Sequence, residues 1–416
     1  LIAAALLLAV CACLGALAAV ITVAGRTPRE WAPYLQHRAA GHNPLITGAA
    51  NAVACFLLQQ DRAAPLAITP PAWAGAAAGR ATPLPSRITA IASVDELRAA
   101  VTAAAPGDTL VLRPGTYALD RPLAIAGPGG TRTAPITLRS EHLGDATLAS
   151  TAVAAINLAA PYWHIEALVI EGHCRNDTDC EHALHIVGPA THAVADNLVL
   201  RDFNAAIKIN GENGAYPDDG EIAHTTLRNT HKRDTTNPIT PIDLVTASNW
   251  SIHDNLIADF FRAATAGPAA TYGAFAKGGG AANHFDHNFV QCEAALHDAT
   301  TPMIGLSLGG GGTGVQFCRG DTHCMPEQTA GRIAGNVIAS CTDAGIYLNA
   351  AAQSRIEQNT LLDTAGIVAR FPATSADIIS NRIDGPILVR DQAIVRARNN
   401  ATTPLIYLFF GAHPQR

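Results

Sequence analysis

Along most of this chain apolar residues return in short alternating runs rather than at the spacing of long helices. Ile242-Asp243-Leu244, Gly305-Leu306-Ser307-Leu308 and Gly345-Ile346-Tyr347-Leu348 each predict a strand with one face turned inward. After each alternating strand comes a second unit, an apolar residue with Asn three places later. It recurs as Ile252 to Asn255, Phe285 to Asn288, Ile333 to Asn336, Ile356 to Asn359 and Ile378 to Asn381. Subtracting successive Asn positions gives intervals of 33, 48, 23 and 22 residues. The last two intervals match one turn of a parallel β-helix, and the longer two imply rungs with inserted loops. Asn suits such a place because it tolerates a left-handed backbone and its amide can bond the stacked neighbour. The register places Asn255 against Asn288, and so pairs His253 with Asp286 and Asp254 with His287 as an acid–imidazole ladder.

The array begins near Ile88. Asp95 to Val101 has the apolar spacing of a short amphipathic helix, with Ser93 as its cap. Such a helix is expected to cover the first rung, whose core and strand edges are otherwise open. The final apolar stretch, Pro404 to Phe410, identifies no matching cap at the other end. The expected fold is therefore all-β, a single-stranded parallel β-helix over residues 87–416.

Only 15% of the 416 residues are charged and 5% aromatic, which argues against a protein dominated by Lys/Glu-rich helices. The net charge of -6 gives no reason to expect nucleic acid, and any attraction for an acidic polymer has to be local. Leu1 to Gly25 is an uncharged apolar run followed by Arg26, Arg29 and Glu30. It predicts an N-terminal hydrophobic helix, read as an export signal or a membrane anchor. Residues 26–86 are read as an attachment region, with helical spacing over Asn51–Arg62 and an Ala/Pro-rich linker over Pro65–Pro85. The expected location is periplasmic or cell-surface, with the N-terminal segment at the membrane.

Two of the cysteine pairs share one spacing, Cys174 with Cys180 and Cys318 with Cys324, and each predicts a disulfide in an oxidising compartment. The rival for the first pair is zinc, with His173, His182 and His185 nearby. Cys292 and Cys341 are read as buried small hydrophobes.

The segments Pro106-Gly107-Asp108-Thr109, Pro114-Gly115-Thr116-Tyr117 and Pro135-Ile136-Thr137-Leu138-Arg139 resemble the entry to the chondroitinase B and alginate lyase family. The resemblance spans Ile88 to Asn381. It implies a right-handed parallel β-helix of the pectin-lyase-like fold and, as substrate and partner, an acidic polysaccharide cleaved by β-elimination. A lyase of this kind uses a lysine as base, with a neighbouring arginine and calcium. Lys277, the single charged residue from Thr271 to Ala282, resembles the lysine. The stretch expected to carry the arginine reads Leu306-Ser307-Leu308-Gly309-Gly310-Gly311-Gly312, and Thr271 to Ala276 holds no acid for calcium.

Lys208, Asp243 and Arg233 complete the catalytic candidates, with Arg233 as a replacement arginine if its loop folds over Lys277. Tyr272, His231, Lys232 and Tyr347 are the substrate-binding candidates. No cofactor or metal site is assigned. The bland alternative for Lys277 is a solvated corner lysine or one paired with Asp243. For the whole chain the alternative is a non-catalytic glycan-binding or cell-envelope structural β-helix.

Overall fold

The alternating runs close into rungs because each strand has one apolar face and too little length to bury it alone. In the computed structural model, which describes residues 25–62, 66–78, 87–297, 301–310, 312–320 and 323–416, the strands stack into three long parallel sheets. The first runs from Ile88–Ile91 to Ile394–Arg398, the second from Gly115–Leu119 to Ala401–Thr402, and the third from Leu123–Ala126 to Ile387–Arg390. The chain visits them in that order once per rung, which makes a right-handed parallel β-helix. Inward positions such as Ile207, Ile242, Ala274 and Leu306 are in register and fully buried, forming one continuous core.

Helix α1, Pro28–Ala39, and helix α2, Pro44–Asp61, precede the rungs, and helix α3, Val94–Ala103, covers the first of them. The Ser93 hydroxyl accepts from Glu96 N, and Leu97 and Val101 are buried beneath α3. The described residues of the region read as attachment and linker, 26–62 and 66–78, lie against the β-helix. Helices α1 and α2 dock on the corner where the second sheet passes to the third, through Arg29, Asp61 and Asp363. Residues 66–78 then form a strap across the second sheet, from the edge facing the third sheet at Ser340 to the edge facing the first at Asp254 and Asn197. Leu66 N donates to Ser340 Oγ, Gly75 N to the Asp254 carbonyl and Ala77 N to Asn197 Oδ1. No helix of the described residues is long and apolar enough to cross a membrane, and residues 1–24, on which the anchor reading falls, lie outside them.

The asparagine repeat is a buried ladder. Each Nδ2 donates to the next Oδ1, from Asn255 through Asn288, Asn336, Asn359 and Asn381 to Asn400, at 2.9–3.0 Å. The left-handed residue is not the Asn itself but the one before it: Asp254, His287, Gln358, Ser380 and Asn399 have φ of 55–57°. That residue turns the corner so that the Asn can point inward and bond. Asn288→Ala removes the acceptor shared by the backbone and side-chain N–H of Asn255, and one donor each from the Ile252 carbonyl and Asn336 Oδ1. The expected loss is about 2–3 kcal/mol in urea unfolding with an unchanged slope.

Cys174–Cys180 and Cys318–Cys324 are disulfides, so the first pair is not available to zinc. Cys292 and Cys341 correct the sequence reading: both are fully buried, but they are bonded to each other. Their separation of 49 residues conceals that they sit on adjacent rungs, since Gln291 pairs with Ala339. Of the expected acid–imidazole pairs only Asp254 with His287 forms, at 2.5 Å. His253 turns instead to Glu221 and Asp254, and Asp286 is taken by Arg332, a stronger partner than imidazole.

Candidate functional site

The outward positions of the third sheet form a second ladder, in register through Asn157, His185, Lys208, Asp243, Phe275, Ser307 and Tyr347. Two places further along the strands, Asn210, Val245 and Lys277 form a parallel row. Loops inserted on both sides of these rungs raise walls around the rows and enclose a cleft of about 670 Å³. Lys208, Asp243, Phe275 and Lys277 lie on its floor and Tyr272 lines one side.

Lys208 and Asp243 are partners, with Nζ 2.8 Å from Oδ1, and Asp243 is only 6% exposed. Lys277 is different. Its ammonium lies 4.4 Å from the centre of the Phe275 ring and has no ion-pair partner among the described residues. Burial pushes it below the ordinary lysine value; Asp243 opposes this and Lys208 adds to it. The loop after Leu308 rests on the lysine stem at Gly310, where a Cβ would come 2.9 Å from Lys277 Cδ. Gly309 makes the turn into that loop at φ +71°, with the Asn349 carbonyl where a side chain would go. Gly309 thus makes a tight turn and Gly310 a close approach to Lys277.

The wall beside Lys277 is tied together across rungs. Arg319 makes two 2.7 Å bonds to the Asp218 carboxylate and lies over the Tyr216 ring at 4.2 Å. Glu327 accepts from Gly278 N at 2.9 Å and from the Thr313 hydroxyl at 2.8 Å, and the Cys318–Cys324 bridge closes the loop. On the opposite side Arg262 reaches the cleft, held by the Thr235 and Asn237 carbonyls. Burial raises the Tyr272 hydroxyl to about 12, with Tyr347 and Asp343 adding to the effect, so it stays protonated and able to donate.

The remaining candidates lie elsewhere. Arg233 is 2% exposed and bound to Asp177 at 2.8 Å and Asn204 at 3.0 Å, so its loop does not fold over Lys277. His231 joins the same Asp177, and Lys232 lies against the Phe261 ring. Tyr347 sits two rungs beyond Phe275, its hydroxyl near Asn349. Sequence reasoning missed Arg262, although the structure pairs it with Arg233 as stacked neighbours. Arg262, as buried as Arg233, is the one of the two that lines the cleft, while Arg233 is taken up by Asp177. The floor itself offers calcium little: a hard cation needs several oxygens, Asp243 is held by Lys208, and the other carboxylate lining the cleft, Glu212, comes from a wall loop.

Residues 91–292, which include Lys208, Asp243, Arg262 and Lys277, match the family model described as chondroitinase B. No curated protein sequence matches the chain. Among solved structures, pectate lyase Pel9A is similar at 13% identity and TM-score 0.48, covering 79% of each chain. An alginate lyase from Paenibacillus sp. str. FPU-7 is similar at 15% identity and TM-score 0.40, covering 67% of this chain and 98% of its own. A PL6 family polysaccharide lyase from Pseudopedobacter saltans has 12% identity and TM-score 0.36, covering 78% and 94%. The chain is a right-handed parallel β-helix, and its residues 91–292 are similar to the chondroitinase B family.

Proposed function

We propose that the protein is a polysaccharide lyase that cleaves a uronate-containing polymer by β-elimination, with Lys277 as the base. The observation that carries this reading is a lysine without an ion-pair partner among the described residues, its ammonium destabilised by burial, on the floor of a cleft. Neutral Lys277 removes the proton on the carbon beside the uronate carboxylate. The electron pair left behind forms a carbon–carbon double bond as the bond to the glycosidic oxygen breaks. The Tyr272 hydroxyl gives that oxygen a proton, and the phenolate regains one from solvent as the Lys277 ammonium releases its own, which restores both residues. Charge grows on the carboxylate during proton removal, and fixed cations facing it lower the barrier. Lys208 and Arg262 are the cations available for this, without a divalent ion.

Asp243 positions Lys208 and keeps the cleft from carrying an unbalanced positive charge. Three disulfides suit an oxidising compartment and support export. The test is incubation with alginate, chondroitin, dermatan and pectate, read by the ultraviolet absorbance of the unsaturated uronate product. Absorbance growing with one polymer supports the proposal. Binding of a polymer with no double bond formed supports the glycan-binding alternative and ends the lyase reading.

A further inference from the structure

A second cluster lies outside the cleft, where the first sheet turns into the second. His224 and Asp254 occupy the same left-handed corner on adjacent rungs, at φ 46° and 56°, and His253 ends the strand just before Asp254. One nitrogen of each imidazole and one oxygen of Asp254 converge, all within 4.8 Å of one another. His224 Nε2 is 3.6 Å and His253 Nδ1 2.8 Å from Asp254 Oδ2. A tetrahedral shell with bonds of about 2.0–2.1 Å has ligand–ligand edges of about 3.3–3.4 Å, a length that falls between the 2.8 and 3.6 Å edges here and inside the 4.8 Å that bounds the group.

The outer contacts of the cluster point the same way. The far nitrogen of each ring meets a carboxylate: His224 Nδ1 is 2.8 Å from Asp196 Oδ1, and His253 Nε2 is 3.0 Å from Glu221 Oε1. Metal-binding histidines are oriented in this manner, with the second nitrogen fixed so that the first faces the ion. Among the described residues, Glu221 and Asp254 have only histidines within ion-pair distance, so a divalent cation would also balance their charge. The three ligand side chains are 14–26% exposed, which leaves room for water to complete the shell.

We propose that His224, His253 and Asp254 bind a divalent transition-metal ion, zinc in the first instance. Two imidazoles and one carboxylate favour a borderline ion over calcium or magnesium. The ion joins two rungs and braces the strap above them. Asp254 accepts from His287 through its other oxygen, Trp73 stacks on His287 at 3.9 Å, and Gly75 N donates to the Asp254 carbonyl.

The experiment uses tag-free protein stripped with a chelator and then titrated with Co²⁺ and with Zn²⁺ against a chromophoric competitor. Expected are one equivalent bound, visible Co²⁺ bands of tetrahedral intensity, and a dissociation constant on the order of micromolar or below. Zinc should also raise the unfolding temperature. His224→Gln with His253→Gln should remove the bands and the temperature shift, while His185→Gln, on the third sheet, should leave both. Glu221→Gln keeps all three ligands and should weaken binding by about 10–100-fold through lost orientation. If the double variant does not fold, the near-isosteric Asp254→Asn takes its place. Failure to bind one equivalent, or equal binding by the ligand variants, overturns the proposal.

Discussion

Replacing Lys277 by Met is expected to abolish double-bond formation and at the same time to make the protein more stable. The first effect follows from its role: loss of a general base costs about 10²–10⁴ in rate. The second follows from the direction of its shift. Burial disfavours the charged form, so the folded chain holds the ammonium less well than the unfolded chain does. At pH values below the lowered folded pKa, protonated Lys277 therefore costs stability; the cost starts to fall as pH rises past that value and is gone above the unfolded value of 10.5. A methionine has no charge to desolvate and a stem that fits between Phe275 and Gly310. The same shift sets the pH profile. Activity should rise as the lysine loses its proton, with a midpoint below the ordinary lysine value of 10.5. Turnover and urea unfolding measured on the same two proteins check both halves. A variant that keeps most of the activity moves the base elsewhere, and one that is inactive but less stable removes the argument from burial.

The rungs were legible because burial imposes a period of two on every strand and the Asn ladder marks one corner in each turn. Lys277 was legible for a similar reason, as a charge in a stretch that otherwise has none. What the sequence hid was adjacency across long insertions. Cys292 and Cys341 lie 49 residues apart and still bond, yet the Asn288–Asn336 register already puts them on neighbouring rungs. Arg262 was hidden by competition. Two stacked arginines are equivalent in pattern, and which one reaches the cleft depends on Asp177, contributed from two rungs away. The docking of helices α1 and α2 left no periodic trace, because it rests on a few charged residues drawn from both ends of the chain.

Arg29→Met should destabilise the protein by about 3–5 kcal/mol, the range for stripping one partner from a buried ion pair. Arg29 is 4% exposed and its donors are all placed. It grips Asp61 with Nε at 2.9 Å and Nη2 at 2.7 Å, meets Asp363 at 3.0 Å, and gives Nη1 to the carbonyls of Cys341 and Asp363. Arg416 approaches the same Asp363 at 3.2 Å and binds Asp384 at 2.7 Å, so the first helix, the last residue and two rungs share one network. Without Arg29, two buried carboxylates face each other. Burial already raises the Asp363 carboxyl, against the pull of Arg29, Arg62 and Arg416. Removing one of those cations raises it further. The deficit of the variant should then be largest at neutral pH and shrink as acid protonates Asp363, which urea unfolding at several pH values would show. Adding Asp61→Asn removes one of the stranded charges and should recover part of the loss, so the double variant costs less than the two singles together. A deficit that is the same at every pH, or strictly additive losses, would mean that α1 is held by packing rather than by charge.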